Sequence, residues 1–489
     1  MSHARAVLAD LFPEAQGTPG AATPVEGIAF DSRNVRPGFA FVAVPGAKAD
    51  GLIFASQAAA AGAVAVVGGA LRPIELDDRV TYLQVHDPRR SLALAAAAFY
   101  GRQPEKVVAV TGTSGKSSVA DFVRQLQAAI GFKSASLGTL GVITSDGAVY
   151  GSLTTPDPVS LHGTLAKLAD AGVSRVAMEA SSHGIDQRRL DGVSLAAAAF
   201  TNLGRDHLDY HNTTEAYAAA KLRLFDTLLP ADAPAIVNAD GPFSDVFMEG
   251  VRRRGLTLMT TGRAGDTIRL LSATAAGFDQ RLTVQAHGRI VEVDLPLPGA
   301  FQVENALLAA GLVLATEGEG RTEEVLRALS TLKGVSGRLE RVGEVNGALC
   351  VVDYAHKPEA LAHVLEALRP FTTGRLVCVF GCGGDRDRGK RALMGRIAVE
   401  NADVAIVTDD NPRTEEPAAI RAEILAAAPG AREIGDRATA IRAAVDELRP
   451  GDVLVVAGKG HETGQIIGDR TLPFSDHDEI RAAIAERRA

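Results

Sequence analysis

Residues 107–118 read VVAVTGTSGKSS. A run rich in β-branched residues ends in a glycine-rich turn, followed by Lys116 and two hydroxyls. A buried strand delivers such a turn to the edge of a sheet. There Gly112 and Gly115 let the backbone bend so that successive N–H groups converge on an anion. A helix starting near Ser117 adds the positive end of its dipole. Lys116 can neutralise phosphate oxygens, and Ser117 can reach a Mg²⁺ ion. Strand, turn, Lys-Ser and helix follow in the order a nucleotide-phosphate loop requires. One departure stands out: the general six-residue spacing wants glycine at 110, where this chain has Val110.

Around this loop lie 489 residues, enough for two to four domains at ~100–200 residues each. Hydrophobic residues make up 46% and charged residues 22%, which fits a soluble globular chain with several cores. A net charge of −8 argues against wrapping around nucleic acid. Cys350, Cys378 and Cys382 form no disulfide framework and fit a reducing compartment. The VCVFGCGG context of the last two favours core packing over a metal pair. The start, MSHARAVLADLFPEAQ, has no long apolar segment of the secretory kind, and the apolar run 92–100 is too short to span a bilayer. A cytoplasmic protein without membrane insertion is expected.

Three α/β domains are expected. Residues 1–100 carry short apolar runs at 27–30, 39–44, 63–67 and 80–85, with a helical pattern at 54–61, and read as a small α/β domain. Residues 101–333 read as a phosphate-loop ATPase domain with a mostly parallel sheet. Its strands are expected at 106–110, 173–178, 195–202 and 235–237, with an amphipathic helix at 215–229. Residues 256–297 alternate like antiparallel strands, and a helix is expected at about 302–315. LKGVSGR interrupts the pattern near 333–338. Residues 334–489 then read as a doubly wound, Rossmann-like domain with strands at 349–353, 375–380, 404–408 and 453–457. In such sheets ligands bind beyond the carboxyl ends of the strands. Those ends read DYAHKP, GCGGDRDRGKR, TDDNPR and GKGHE: four polar, glycine-rich segments on one edge, which suggests a site.

Two further clusters follow strands in the middle of the chain. In MEASSHGIDQRRL (178–190), Glu179 lies where a carboxylate can hold a Mg²⁺ bridging to phosphate oxygens. In TNLGRDHLDYH (201–211), Asp206 and His207 follow a strand, and a structural histidine or a metal ligand are both open readings. Lys221, read by itself on its helix, is a surface lysine that snorkels to solvent.

TGTSGKSS, TTPD, MEASSHG, TNLGRDHLDYH, the lysine of YAAAKLRLF, GRLE, DYAHKP, GDRDRGKR, DNPR and GKGHE occur in this order over nearly the whole chain. The set resembles the Mur ligases. The resemblance implies an N-terminal domain for a UDP-sugar, a central domain for ATP and a C-terminal domain for an amino acid, working as a monomer with ATP and Mg²⁺. It implies ATP-driven amide bond formation in peptidoglycan precursor synthesis, through an acyl phosphate. UDP-N-acetylmuramoyl-L-alanyl-D-glutamate would supply the carboxyl group and meso-diaminopimelate the amine.

By the same resemblance, Lys116, Glu179, His207 and Lys221 are catalytic. Ser117, Glu179, His207 and a carbamylated Lys221 hold metal. Gly112, Thr113, Ser114, Gly115, Lys116, Ser117 and Ser118 hold the nucleotide, together with Asn305, Arg338 and Asp353. The UDP-sugar dipeptide falls to Ser32, Ala47, Lys48, Ala49, Thr154, Thr155, Ser181, Gln187 and Arg189. Arg386, Asp410, Asn411, Pro412, Arg413, Gly458 and Glu462 take the amino acid, with arginines gripping a distal carboxylate that lysine lacks. Asn-Pro also makes a good turn, so Asn411 and Pro412 can equally serve to shape the loop. Ser114 stands where the family usually has Asn, and Lys357 where Thr or Asn is usual. Two alternatives remain: a sister ligase adding lysine or another amino acid, and a nucleotide-binding protein without catalysis.

Overall fold

The computed structural model describes residues 6–46, 49–149, 151, 153–204 and 208–488. They form two compact units, Met1–Thr267 with Gly311–Glu319, and Ile268–Ala310 with Gly320–Ala489.

The first unit holds two main sheets. Gly27–Ala29, Phe39–Val42, Ala65–Gly68 and Thr81–Gln84 pair in parallel in that order. Both faces are covered. Val42 and Val67 join one apolar cluster with Phe12 and Leu92, while Phe41 and Val66 join another with Ala58 and Val80. Burial on both faces is why these strands read as continuous apolar runs rather than as alternation. The helix Pro88–Tyr100 closes this region. Asp87 caps it by accepting the Arg90 N–H (3.1 Å), Pro88 opens it and Gly101 ends it in the left-handed region.

The second sheet runs Gly147–Val149, Gly141–Thr144, Ser134–Gly138, Arg175–Glu179, Lys106–Thr111, Leu195–Phe200, Pro234–Asn238, Thr257–Gly262. From Ser134–Gly138 onward every pairing is parallel. The strand Lys106–Thr111 is therefore central, flanked by the two strands whose ends carry Glu179 and Thr201.

The structure differs from two of the expected elements and adds one strand that was not expected. Thr257–Gly262 pairs in parallel with Pro234–Asn238 after a return through the helix Ser244–Arg253, so antiparallel pairing starts only at Ile268. The helix expected over 215–229 is helical at Thr214–Arg223 and then widens into a π-helical turn, Leu224–Leu228. Ser134–Gly138 is a fully buried strand that its residues, SASLG, do not announce.

The second unit begins with an antiparallel meander, Ile268–Ala276, Asp279–Ala286 and Arg289–Leu295. Its larger sheet runs Glu340–Val345, Ala348–Asp353, Val453–Ala457, Leu376–Phe380, Val404–Val407, Arg432–Glu433, and only the first pair is antiparallel. Val453–Ala457, the last of these strands in the chain, inserts between two earlier ones. The GKGHE segment thus emerges between DYAHKP and GCGG. The α/β class with parallel sheets stands as expected. All three cysteines are free and buried, and burial pushes each thiol up to about 12. Among the described residues no helix is long and apolar enough to cross a membrane.

Arg437 and Asp476, both fully buried, form a two-pronged ion pair at 2.7 and 2.8 Å, and Arg437 also donates to the Ala457 carbonyl (3.0 Å). Removing one partner of such a pair strands a buried charge. Asp476→Ala is expected to destabilise the second unit by about 3–5 kcal/mol, and Arg437→Met/Asp476→Leu to recover most of it. Denaturant unfolding of the full chain measures both.

Candidate active site

The turn after Lys106–Thr111 is built to stay open. Gly112 has φ 146°, and a Cβ there would lie 1.8 Å from Thr201 Oγ1. Thr201 Oγ1 donates to the Ser114 carbonyl (2.7 Å), the Ser114 N–H to Asn202 Oδ1 (3.1 Å) and the Thr113 N–H to the Asn202 carbonyl (2.8 Å). Gly115, in the left-handed region, caps the helix Lys116–Ala129, on which Ser118 is buried. Lys116 Nζ folds back onto the carbonyls of Gly112 (2.9 Å) and Thr113 (2.8 Å). Lys221 Nζ reaches the same Gly112 carbonyl (2.7 Å) and lies 4.4 Å from the centre of the Tyr217 ring. At 1% exposure it is no snorkelling surface lysine: its face of the helix packs inward, onto the loop.

Glu179 sits beside the loop, 2% exposed. Its Oε1 accepts from Ser117 Oγ (2.9 Å) and the Thr139 N–H (2.8 Å), and its Oε2 from Thr139 Oγ1 (3.3 Å). Ser117 and Glu179 are hard oxygen donors. That set suits Mg²⁺, which takes one or two protein oxygens and completes its shell with phosphate and water. Among the described residues no three His, Cys, Asp or Glu side chains gather into a closed cage. His207, Ala47 and Lys48 lie outside the described residues.

From Glu179 a hydroxyl network extends through the expected acceptor-binding residues. Thr139 Oγ1 meets Thr154 Oγ1 (3.0 Å), and Thr155 Oγ1 donates to the Glu179 carbonyl and lies 3.0 Å from Ser181 Oγ. Arg189 donates to the Thr155 carbonyl (2.6 Å) and to Gln187 Oε1 (2.8 Å). Ser32 stands apart from these contacts, donating to Gln57 Oε1 (3.1 Å), and the Ala49 carbonyl accepts the Gly46 N–H.

The second unit carries a cavity of about 810 Å³ at the strand carboxyl ends. Arg386, Asp410, Asn411, Arg413, Gly458 and Glu462 all line it, with Tyr354, His356, Lys357 and Lys390. Pro412 is not in the wall: it sits in the turn, its carbonyl against Gly384. Arg413 is held at φ 52° because its N–H donates to the Ile466 carbonyl and its own carbonyl accepts from Gly468. Its guanidinium reaches the Gly384 carbonyl (2.8 Å). Gly458 has φ 120°, and a Cβ there would lie 2.6 Å from Asp410 Oδ2.

Asn305, Arg338 and Asp353 form a group in this unit. Asn305 bonds Gln302 (3.3 Å), Gln302 bonds the Arg338 carbonyl (3.2 Å), and the Arg338 guanidinium lies 5.0 Å from the centre of the Tyr354 ring. Burial pushes the Asp353 carboxyl up to about 6, against Arg338 and the N–H groups of Leu339 and Ala355 (2.7 Å each).

Residues 24–100 match the Mur ligase family catalytic domain, 110–313 the Mur ligase middle domain and 337–460 the Mur ligase glutamate ligase domain. A UDP-N-acetylmuramoyl-L-alanyl-D-glutamate–2,6-diaminopimelate ligase of Mesorhizobium japonicum is 57% identical over 99% of both chains. The chain belongs to the Mur ligase family. A ligase of the same name from Rhizobium meliloti is 58% identical over 97% of both chains. A solved structure of a ligase with that name superposes with a TM-score of 0.76 at 31% identity, covering 99% of this Mur ligase and 100% of the other chain. Thr139, Thr201, Asn202, Tyr217 and Lys459 were missed as parts of the site. Thr201 and Asn202 carried a usable signal, since they open the polar segment TNLGRDHLDYH at the carboxyl end of a strand. Thr139 carried none, because the strand before it was unseen.

Gly112→Ala is expected to weaken ATP binding by about tenfold or more. Its Cβ displaces the Thr201 hydroxyl that braces Ser114, and titration with a fluorescent ATP analogue measures the loss.

Proposed function

We propose that this chain uses ATP to join the amine of meso-diaminopimelate to the free glutamyl carboxyl of UDP-N-acetylmuramoyl-L-alanyl-D-glutamate, a step of peptidoglycan precursor synthesis. The observation that carries this reading is the second unit's cavity. Its lining holds two guanidinium groups, Arg386 and Arg413, and two carboxylates, Asp410 and Glu462. That donor set suits a ligand whose far end bears both a carboxylate and an ammonium. High identity to ligases with this substrate in their names supports it over the full length.

A free carboxylate resists amines because its oxygen leaves poorly. Transfer of the γ-phosphoryl group makes an acyl phosphate and ADP. The uncharged amine then adds to the carbonyl carbon, phosphate departs with the C–O bond, and the amine loses its proton. The amides at the start of the helix Lys116–Ala129 bind the phosphates, with Lys116 swinging from the Gly112 and Thr113 carbonyls onto them. Ser117 and Glu179 would hold Mg²⁺, which supplies screening between the triphosphate and the approaching carboxylate. Thr154, Thr155, Ser181, Gln187 and Arg189 orient the acceptor, together with Ser32 and residues 47–49. Asn305, Arg338 and Asp353 serve the nucleotide. His207 would complete the metal set, as would Lys221 in the form of a carbamate made with CO₂, an anion where the amine is a cation. The enzyme works in the cytoplasm as a monomer of three domains, 1–100, 101–333 and 334–489. The three family matches, over 24–100, 110–313 and 337–460, support that division.

Omitting each of the three substrates in turn is expected to abolish ADP release, and lysine is expected not to replace meso-diaminopimelate, since it would leave a guanidinium unpaired. ADP release with lysine and none with meso-diaminopimelate overturns the reading. A pH dependence follows as well. Burial pushes the Glu462 carboxyl above the usual range; Asn411, Lys459 and Arg413 oppose this, and Asp410 adds to it. Only the ionised form receives an ammonium, so KM for meso-diaminopimelate should rise as pH falls through that raised value. Glu462→Gln should raise KM at neutral pH and flatten the acid limb of the KM profile.

A further inference from the structure

GKGHE contains a lysine that the proposed chemistry does not use. Lys459 is fully buried, which is rare for a lysine. Its ammonium donates to Asn411 Oδ1 (2.8 Å) and the Gly464 carbonyl (2.8 Å), and lies 3.8 Å from Glu462 Oε2. The Ile466 N–H donates to the same Asn411 oxygen (2.9 Å). The opposite end of that amide, Nδ2, donates to Glu462 Oε2 (3.1 Å).

A carboxamide has two ends of nearly equal shape, and only its partners decide which end faces where. A cation and a backbone donor on one side leave the oxygen a single favourable orientation. The amide nitrogen is thereby aimed at Glu462. The Glu462 carboxylate lines the cavity, and the bond from Asn411 holds its Oε2.

We infer that Lys459 is a positioning residue for amino-acid recognition: it locks the Asn411 amide, and through it the Glu462 carboxylate, in the orientation that receives the ammonium of the incoming amino acid. This rests on the amino-acid role proposed above for the cavity. A purely structural Lys459 would instead tie down only the hairpin that begins at Gly464.

The test is steady-state kinetics of full-length Lys459→Met, whose side chain has similar length and no charge. KM for meso-diaminopimelate is expected to rise about tenfold or more, the size expected for losing hydrogen bonds to a charged group. KM for ATP and for the UDP-linked acceptor should stay within about twofold. In a Glu462→Gln background the same substitution should add less than about twofold, because the group it acts through is already gone. Lys459→Gln, which can still donate to Asn411, should fall between wild type and Lys459→Met, and it carries the same test if Lys459→Met does not fold. Unchanged KM for meso-diaminopimelate, an equal rise for all three substrates, or full additivity with Glu462→Gln overturns the inference. If wild-type protein does not use meso-diaminopimelate, the functional reading fails. If wild type uses it and the variants match wild type, only the role of Lys459 fails.

Discussion

The phosphate loop of the first unit depends on the register of three parallel strands. Glu179 pairs with Val110, and Phe200 with Thr111. These pairings bring Glu179 to one flank of residues 112–117 and Thr201 and Asn202 to the other. Side chains alternate along a strand, so a slip of one residue would turn Glu179 to the opposite face. Glycines give the loop its shape, and Asn202 holds the amides of Thr113 and Ser114. Thr201, Asn202 and Lys221 thus brace it from outside.

The second unit meets the same problem with buried charge. Val453–Ala457 enters between two earlier strands, and the segment after it must be held among three loops. Arg437 with Asp476 ties down the strand end, and Lys459 with Asn411 joins GKGHE to DNPR. Burying a charge is costly, and such pairs contribute little net stability. What they contribute here is geometry, because each donor and acceptor has one place to go.

Much of this was legible in the chain. Strands of Val, Ile and Ala flanked by glycine-rich turns announced themselves, and the polar segments that follow them marked the functional edge of each sheet. The misses have physical causes. SASLG is a strand because its neighbours cover it, and its own residues favour nothing. Lys221 read as a surface residue because a lysine most often keeps its ammonium in water, yet contact with Tyr217 and the Gly112 carbonyl buries it. Arg413 at φ 52° obeys no local preference, and only its two backbone bonds to the hairpin strand explain it.

The sequence by itself determined the α/β class, the phosphate loop and the membership of the motifs, because periodicity and glycine placement are local properties that survive without a fold. Tertiary structure alone decided strand order, the burial of Lys221 and Lys459, and the meeting of DNPR with GKGHE some fifty residues further on. Those depend on which surfaces cover which, and on where a buried donor finds its acceptor.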